Sequence, residues 1–214
     1  MLIDFVDINR ILSLNNISIN GAFHIGAHEC EEIPFYNQMG LKNEDVVWID
    51  AIPSKVTEAK NRGIPNVYTA VITDKDDEAV VFNVSNNFQS SSVLEFGTHL
   101  VEHPGIVYVD KLYQTSITID TFFERNNLDA SNYNFWNFDI QGAELMALKG
   151  ATKSIQHAKV LYLEVSEKEL YKNCGLITEI DTFLSQYNFK RVLTKMTQHG
   201  WGDALYILNP IKIK

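Results

Sequence analysis

The segment FHIGAHECEE, residues 23–32, decides the fold of this chain. Its short apolar run ends in Gly26 and Ala27, as a β-strand does where it turns sharply into a helix. A dinucleotide-binding turn would supply further glycines, but Cys30 stands where the second glycine is expected, and three glutamates lie within residues 29–32. The segment therefore predicts the first strand and the ligand-binding turn of an α/β sheet, with a ligand that is not a pyrophosphate.

The rest of the chain alternates short β-rich runs with helical patterns, which is typical of a mainly parallel sheet. The expected strands are 22–26, 45–50, 66–71, 79–84, 106–110, 134–140, 159–165, 188–193 and 203–208. The expected helices are 30–40, 53–62, 119–127, 142–149 and 176–187. We interpret residues 1–214 as a single domain, with residues 1–20 as an N-terminal helical extension.

The polar segment 85–105 is rich in Ser and Asn and has no clear period. Long irregular segments in small domains are functional loops or plain surface excursions. We favour a loop over the mouth of a site.

Composition and charge exclude several classes of function. The chain has 27 acidic and 18 basic residues and a net charge of -9, whereas binding to a nucleic-acid backbone relies on clustered Lys and Arg. Two cysteines are too few for a disulfide framework. The N-terminal segment lacks the basic start of a signal peptide, and no run of about 18 apolar residues occurs. We expect a soluble, cytoplasmic protein that binds no nucleic acid and inserts into no membrane.

Three carboxylates lie at or near predicted strand ends, where open parallel sheets bind their ligands. Asp50 closes the second strand, 24 residues after Gly26, near the offset at which an acid meets a ribose diol. Asp139 ends the central strand, and Glu164 lies in the next one. Glutamates beside Gly26 would repel a pyrophosphate by about 1 kcal/mol or more each. S-adenosylmethionine (SAM) has no phosphate and carries two cationic groups, so the pattern favours SAM over NAD.

Three segments of the sequence resemble the FkbM-type SAM-dependent methyltransferases. They are FHIGAHECEE at 23–32, VVWIDAIPSK at 46–55 and, as the most specific, FDIQGAELMALKGA at 138–151. The resemblance spans about residues 21–208. The chain departs from the family pattern at Cys30, where glycine is usual, and at Asp50, where glutamate is more frequent.

The resemblance implies a Rossmann-like class I methyltransferase fold, with a mainly parallel seven-stranded sheet, an antiparallel last strand and helices on both faces. It also implies that Gly26, Ala27 and His28 face the methionyl part of SAM, and that Asp50 binds the ribose hydroxyls. The adenine would lie near the segment from Ala70 to Asp74. Glu31 and Ala51 complete the expected cofactor-binding set.

Methyl transfer requires alignment of the acceptor and removal of its proton. Asp139 is the first candidate for general base or acceptor anchor. Glu144 could point back into the site or cap the turn, and Glu164 and His199 are further catalytic candidates. In a second interpretation, Asp139 and Glu164 bind a magnesium ion that acidifies the acceptor hydroxyl.

The resulting hypothesis is an O-methyltransferase acting on a hydroxyl of a sugar, a glycan or a similar small polar acceptor. Two alternatives belong to other classes. One is a nonenzymatic module that binds a nucleoside cofactor, and the other is an NAD-dependent oxidoreductase, which the acidic, glycine-poor turn disfavours.

Overall fold

Short apolar runs form the strands of a central sheet in the computed structural model, which describes residues 1–209. The strands are β1 (Ala22–Ile25), β2 (Val46–Asp50), β3 (Val67–Thr69), β4 (Val71–Ile72), β5 (Ala79–Ser85), β6 (Tyr108–Ile117), β7 (Phe135–Phe138), β8 (Val160–Ser166), β9 (Phe189–Met196) and β10 (Trp201–Leu208). The helices are α1 (Phe5–Leu14), α2 (Ile33–Gln38), α3 (Pro53–Asn61), α4 (His99–Glu102), α5 (Ile119–Arg125), α6 (Glu144–Lys149) and α7 (Ile177–Ser185).

The central sheet has seven strands in the order β3-β2-β1-β7-β8-β10-β9. Neighbours from β3 to β8 are parallel, and β10 runs antiparallel between β8 and β9. This order confirms the expected Rossmann-like fold with an antiparallel last strand.

Alternate residues of the central strands feed two hydrophobic clusters, one on each face of the sheet. On β1, Phe23 and Ile25 join the first cluster, while Ala22 joins the second. Ile8 and Leu12 of α1 pack into the second cluster, so the N-terminal helix covers one face of the sheet.

A second, three-stranded sheet in the order β4-β6-β5 holds the strands expected at 79–84 and 106–110. The strand beginning near residue 106 is longer than expected, because residues 108–115 pair in antiparallel fashion with β5 and residues 116–117 continue the strand in parallel pairing with β4. Many of its residues are polar and partly exposed, so a search for apolar runs does not detect the whole strand.

Two expected helices begin later than the sequence suggests. His28 and Cys30 have φ values of 41° and 56°, and Gln141 and Gly142 have φ values of 56° and 93°. A right-handed helix cannot include such residues. Both sets follow strand ends and shape the site described below.

No helix within residues 1–209 is both long enough and apolar enough to cross a bilayer.

Candidate active site

The carboxyl ends of β1 and β7 meet at the point where the strand order of the sheet reverses. Gly26 follows β1 with a φ of +92°, and a Cβ atom at this position would lie 1.9 Å from the carbonyl oxygen of Asp139. No residue with a side chain fits so close an approach. The turn after β1 and the end of β7 therefore touch, and ligand sites of open α/β sheets lie at such reversals.

A narrow cleft opens above this contact. Its lining includes Gly26, His28, Asp50, Ala51, Ala70 and Asp139, with apolar walls from Ile52, Val71, Ile72 and Phe82. About 570 Å³ of empty space lies in it, part of which is open solvent. No lysine or arginine within residues 1–209 lines this cleft, so an apolar ring suits it better than a phosphate.

Asp50 is the anchored carboxylate of the narrow cleft. Its side chain is 8% exposed, and its two oxygens accept backbone hydrogen bonds from His28 and Ile52, both at 2.7 Å. Burial raises the pKa of this carboxyl, and the two backbone donors oppose that rise. The carboxylate is thus held in one orientation, with lone pairs left for hydroxyl donors in the cleft.

The glutamates of the first turn are partly neutralised by neighbouring side chains. Glu29 pairs with Lys55 at 3.1 Å, and Glu31 pairs with the Nδ1 of His28 at 2.8 Å. Lys55 also lies 4.9 Å from the ring centre of Phe88, which lines the narrow cleft. The turn is therefore less repulsive to anions than its sequence suggests, although no cation enters the cleft from within residues 1–209.

Cys30 takes the left-handed conformation for which glycine is the usual residue. Its thiol is 3% exposed and packs into the second hydrophobic cluster with Ala27 and Tyr36. Because Cys30 lines neither the narrow cleft nor the cavity beside it, the departure from the family pattern leaves the ligand space open.

Gln141 connects the two central carboxylates. Its Nε2 donates to Asp139 Oδ1 at 2.7 Å and to Glu164 Oε2 at 2.9 Å, while its Oε1 accepts from the hydroxyl of Tyr171 at 2.7 Å. The Tyr171 hydroxyl also lies 3.2 Å from the carbonyl oxygen of Ser90. One amide therefore fixes both carboxylates at the end of β7 and β8.

Burial and neighbouring charges raise the pKa values of both Asp139 and Glu164. Burial, followed by repulsion from Asp203, raises the pKa of Asp139 to about 6. Burial raises the pKa of Glu164 well above its usual range, and Asp139 adds to the effect. Both carboxyl groups therefore hold their protons to higher pH than surface acids do, which is the pKa range in which carboxyl groups serve acid–base chemistry.

Glu144 does not line the narrow cleft. It is 2% exposed, and its Oε1 accepts hydrogen bonds from the backbone of Ile140 at 2.9 Å and Gly142 at 3.4 Å. Burial raises its pKa to about 8. This placement favours the turn-capping alternative over a catalytic role, since Glu144 holds the loop that carries Asp139.

A wide cavity adjoins the narrow cleft and shares Gly26, His28, Gln89 and Asp139 with it. Its other lining residues are Met1, Leu2, Glu31, Glu32, Asn87, Ser90, His99, His103, Ile106, Gln141, Glu164, Ser166, Leu170, Tyr171, Trp201 and Asp203. Asp139 therefore stands at the junction of two spaces, where a group bound in one can react with a group bound in the other.

Besides Glu144, three of the expected site residues line neither the narrow cleft nor the wide cavity. Ala27 is 2% exposed, and its N–H donates to the carbonyl oxygen of Ile49. Asp74 lines neither space. His199 pairs through Nδ1 with Glu102 at 2.9 Å, and its ring lies 4.9 Å from that of His103, which does line the wide cavity. His199 thus lies behind the cavity wall.

The magnesium interpretation finds no support in the geometry. Within residues 1–209, no group of three or more His, Cys, Asp or Glu side chains is arranged to hold a metal ion. The Nε2 donor of Gln141 bonds to both carboxylates that would be the ligands.

Sequence reasoning did not assign a role to several lining residues. Gln141 lies inside the quoted segment 138–151, and Asp203 begins the expected strand 203–208, so the sequence singled out the segments that hold both. Tyr171 and His99 belong to segments in which no regular pattern was found. Asp203 is 5% exposed and accepts hydrogen bonds from the Tyr162 hydroxyl and the N–H of Leu2.

Comparison with known proteins identifies the domain. Residues 24–191 match the model of the methyltransferase FkbM domain. No curated protein matches the chain. Three similar solved structures are a protein of the NADB-Rossmann superfamily from Streptococcus agalactiae, the magnesium protoporphyrin IX methyltransferase of Synechocystis with bound SAM, and a SAM-dependent methyltransferase from Aquifex aeolicus.

Each of the three is 12% identical to this chain. The TM-scores are 0.47, 0.44 and 0.45 in the same order, with 96%, 95% and 97% of this chain and 70%, 76% and 90% of the other chains covered.

Proposed function

Because this chain belongs to the FkbM family of SAM-dependent methyltransferases, we propose that it transfers a methyl group from SAM to a hydroxyl of a sugar, a glycan or a similar small polar acceptor. The observation that carries the proposal is the position of Asp139, a carboxylate at the junction of the narrow cleft and the wide cavity. The narrow cleft is the cofactor space in this proposal, and the wide cavity is the acceptor space.

The residues of the narrow cleft fit SAM. Asp50 offers a fixed carboxylate to a ribose diol, and the walls formed by Ile52, Val71 and Ile72 suit an adenine ring. The lining residues provide no lysine or arginine within residues 1–209, and SAM has no phosphate that would need one. His28, Ala51 and Ala70 complete the lining on the side of the first turn and β2.

The chemistry divides between the cofactor and the chain. When bound, SAM supplies a methyl carbon activated by a sulfonium leaving group. Asp139, with its pKa of about 6, is ionised near neutral pH and accepts the proton of the acceptor hydroxyl. Gln141 holds that carboxylate toward the cavity, and Glu164 retains its proton and offers a hydrogen bond to the acceptor. Tyr171 fixes the amide of Gln141.

The proposal extends to the organisation and setting of the protein. Residues 1–214 act as one methyltransferase domain, and the segment 85–105 covers the site, since Phe88, Gln89 and Ser91 line the narrow cleft. The net charge of -9 supports an acceptor other than nucleic acid, and the two free, buried cysteines support a cytoplasmic enzyme.

The test is an assay for SAM-dependent methylation over a panel of monosaccharides, oligosaccharides and other small polyols, with products identified by mass spectrometry. Formation of a methylated product together with S-adenosylhomocysteine (SAH) would support the proposal. Binding of SAH in calorimetry without methylation of any panel member would favour a nonenzymatic binding module. Binding of NAD without SAM would favour the oxidoreductase alternative.

A further inference from the structure

The charge of the wide cavity limits what it can bind. Its lining includes the carboxyl groups of Glu31, Glu32, Asp139, Glu164 and Asp203, of which Glu164 contributes least charge because its pKa is raised well above the usual range. No lysine or arginine side chain within residues 1–209 lines it, although the amino group of Met1 acts on Asp139 and Glu32. A phosphate or carboxylate placed near these acids would lose about threefold or more in affinity for each close ionised carboxylate.

A buried polar group without a partner lies in the wall of the same cavity. His99 lines the wide cavity, is 5% exposed, and its Nδ1 has no hydrogen-bond partner within residues 1–209. The imidazole stacks on Phe96 with ring centres 4.3 Å apart, and it lies 4.9 Å from the ring of His103. A buried polar side chain without a partner is uncommon unless a ligand supplies one.

The protonation state of His99 decides which ligand atom it can meet. Burial lowers its pKa to about 4, and His103 adds to the effect, so the imidazole is neutral at physiological pH. A neutral imidazole has one N–H donor and one acceptor nitrogen, which match a hydroxyl group and provide no charge for an anion.

We propose that the wide cavity takes an uncharged sugar ring, one without phosphate or carboxylate substituents, and that His99 selects it through a hydrogen bond to a ring hydroxyl. The inference rests on the proposed function and deepens it by naming the charge class of the acceptor. Trp201 and Tyr171 line the cavity with aromatic surface on which the apolar face of such a ring can lie.

The experiment uses pairs of sugars in which one member carries a single anionic substituent and the other carries none. The SAH-loaded protein is titrated with glucose and glucuronate, galactose and galacturonate, and mannose and mannose phosphate, at millimolar concentrations, and binding is followed by ligand-observed NMR. Methylation of each sugar is measured in parallel with SAM. We expect the neutral member of a pair to bind at least about tenfold more tightly than its anionic partner.

Two variants assign the selectivity to named residues. Glu32→Gln should reduce the preference for the neutral sugar by about threefold or more, since it removes one repelling carboxylate. His99→Phe keeps the stack on Phe96 and should weaken neutral-sugar binding about fivefold while leaving SAH affinity unchanged. His157→Phe, at an exposed position outside both spaces, is the matched control.

The outcomes separate this inference from the proposed function. Equal or tighter binding of the anionic sugars, or binding of no panel member, would overturn the inference. Faster methylation of a uronate than of its hexose would overturn it while supporting sugar methylation. Neutral sugars that bind with the expected selectivity but receive no methyl group would support the inference and count against the proposed function.

Discussion

Asp139 and Glu164 accept hydrogen bonds from one donor, the Nε2 of Gln141, at 2.7 and 2.9 Å. The two carboxyl groups are therefore not independent. Burial raises the pKa of both, Asp139 adds to the rise for Glu164, and the amide between them opposes the rise for both.

We expect Gln141→Leu to slow methylation by about tenfold to a hundredfold, because the Asp139 carboxylate loses the donor that orients it. That donor also lowers the pKa of Asp139, so its loss should raise the pKa. Wild-type kcat/KM should fall as the pH drops through about 6, and this limb should move to higher pH in the variant. Gln186→Leu, at an exposed helix end, is the control. An unshifted pH profile would contradict the role given to Gln141.

Asp50→Asn tests the anchor of the narrow cleft. An asparagine has one acceptor oxygen where Asp50 has two, so one of the backbone donors, His28 or Ile52, would lose its partner. We expect SAH affinity to fall about tenfold or more in calorimetry. Asp110→Asn on the exposed face of β6 should bind as wild type. Undiminished affinity in Asp50→Asn would remove Asp50 from the cofactor site.

Cys30 gives a prediction about stability alone. Cys30→Ala keeps the left-handed backbone and loses the buried thiol, whereas Cys30→Gly relieves the backbone. The glycine variant should be more stable than the alanine variant by about 1 kcal/mol in urea unfolding. Both should bind SAH as wild type does, because Cys30 lines neither ligand space. A gain of SAH affinity in Cys30→Gly would show that the thiol obstructs the cleft.

Glu164 should make the protein less stable as the pH rises, whereas an acid in a surface ion pair makes a protein less stable as the pH falls. Its folded-state pKa is raised, so the folded protein holds a proton that the unfolded chain releases. Its contribution is complete below the ordinary glutamate pKa and is lost as the pH rises toward the raised one. Glu164→Gln should therefore raise the Tm at about pH 8 by about 2–4 °C and have a smaller effect at about pH 4. Glu124→Gln is the exposed control, and a larger gain at low pH would reverse the sign of the argument.

The sequence predicted the fold and the site residues that lie at the ends of the strands. Strand periodicity, together with the Gly26 turn, predicted the parallel sheet and brought Gly26, Asp50 and Asp139 to one edge. The sequence did not predict the site residues that lie in segments without a regular hydrophobic pattern. His99, at the start of the short helix α4, and Tyr171, in a loop, reach the wide cavity from segments without a clear period, and the part of β6 beyond residue 110 is too polar to be recognised as a strand.

The first turn shows a different limit. Its glutamates pointed to an acidic ligand space, but Glu29 is turned toward Lys55, a contact 26 residues away that the sequence pattern does not reveal. Glu144 was a catalytic candidate because of its spacing from Asp139, whereas tertiary structure directs its carboxyl into the backbone of the loop.

The most direct test of the account is single-turnover methyl transfer by Asp139→Asn, with SAH affinity measured on the same protein. Asparagine keeps the shape of the side chain and an acceptor for Gln141 but cannot take up a proton. The account predicts a rate lower by about a hundredfold or more with SAH affinity nearly unchanged. A variant that transfers the methyl group at close to the wild-type rate would show that Asp139 is not the base.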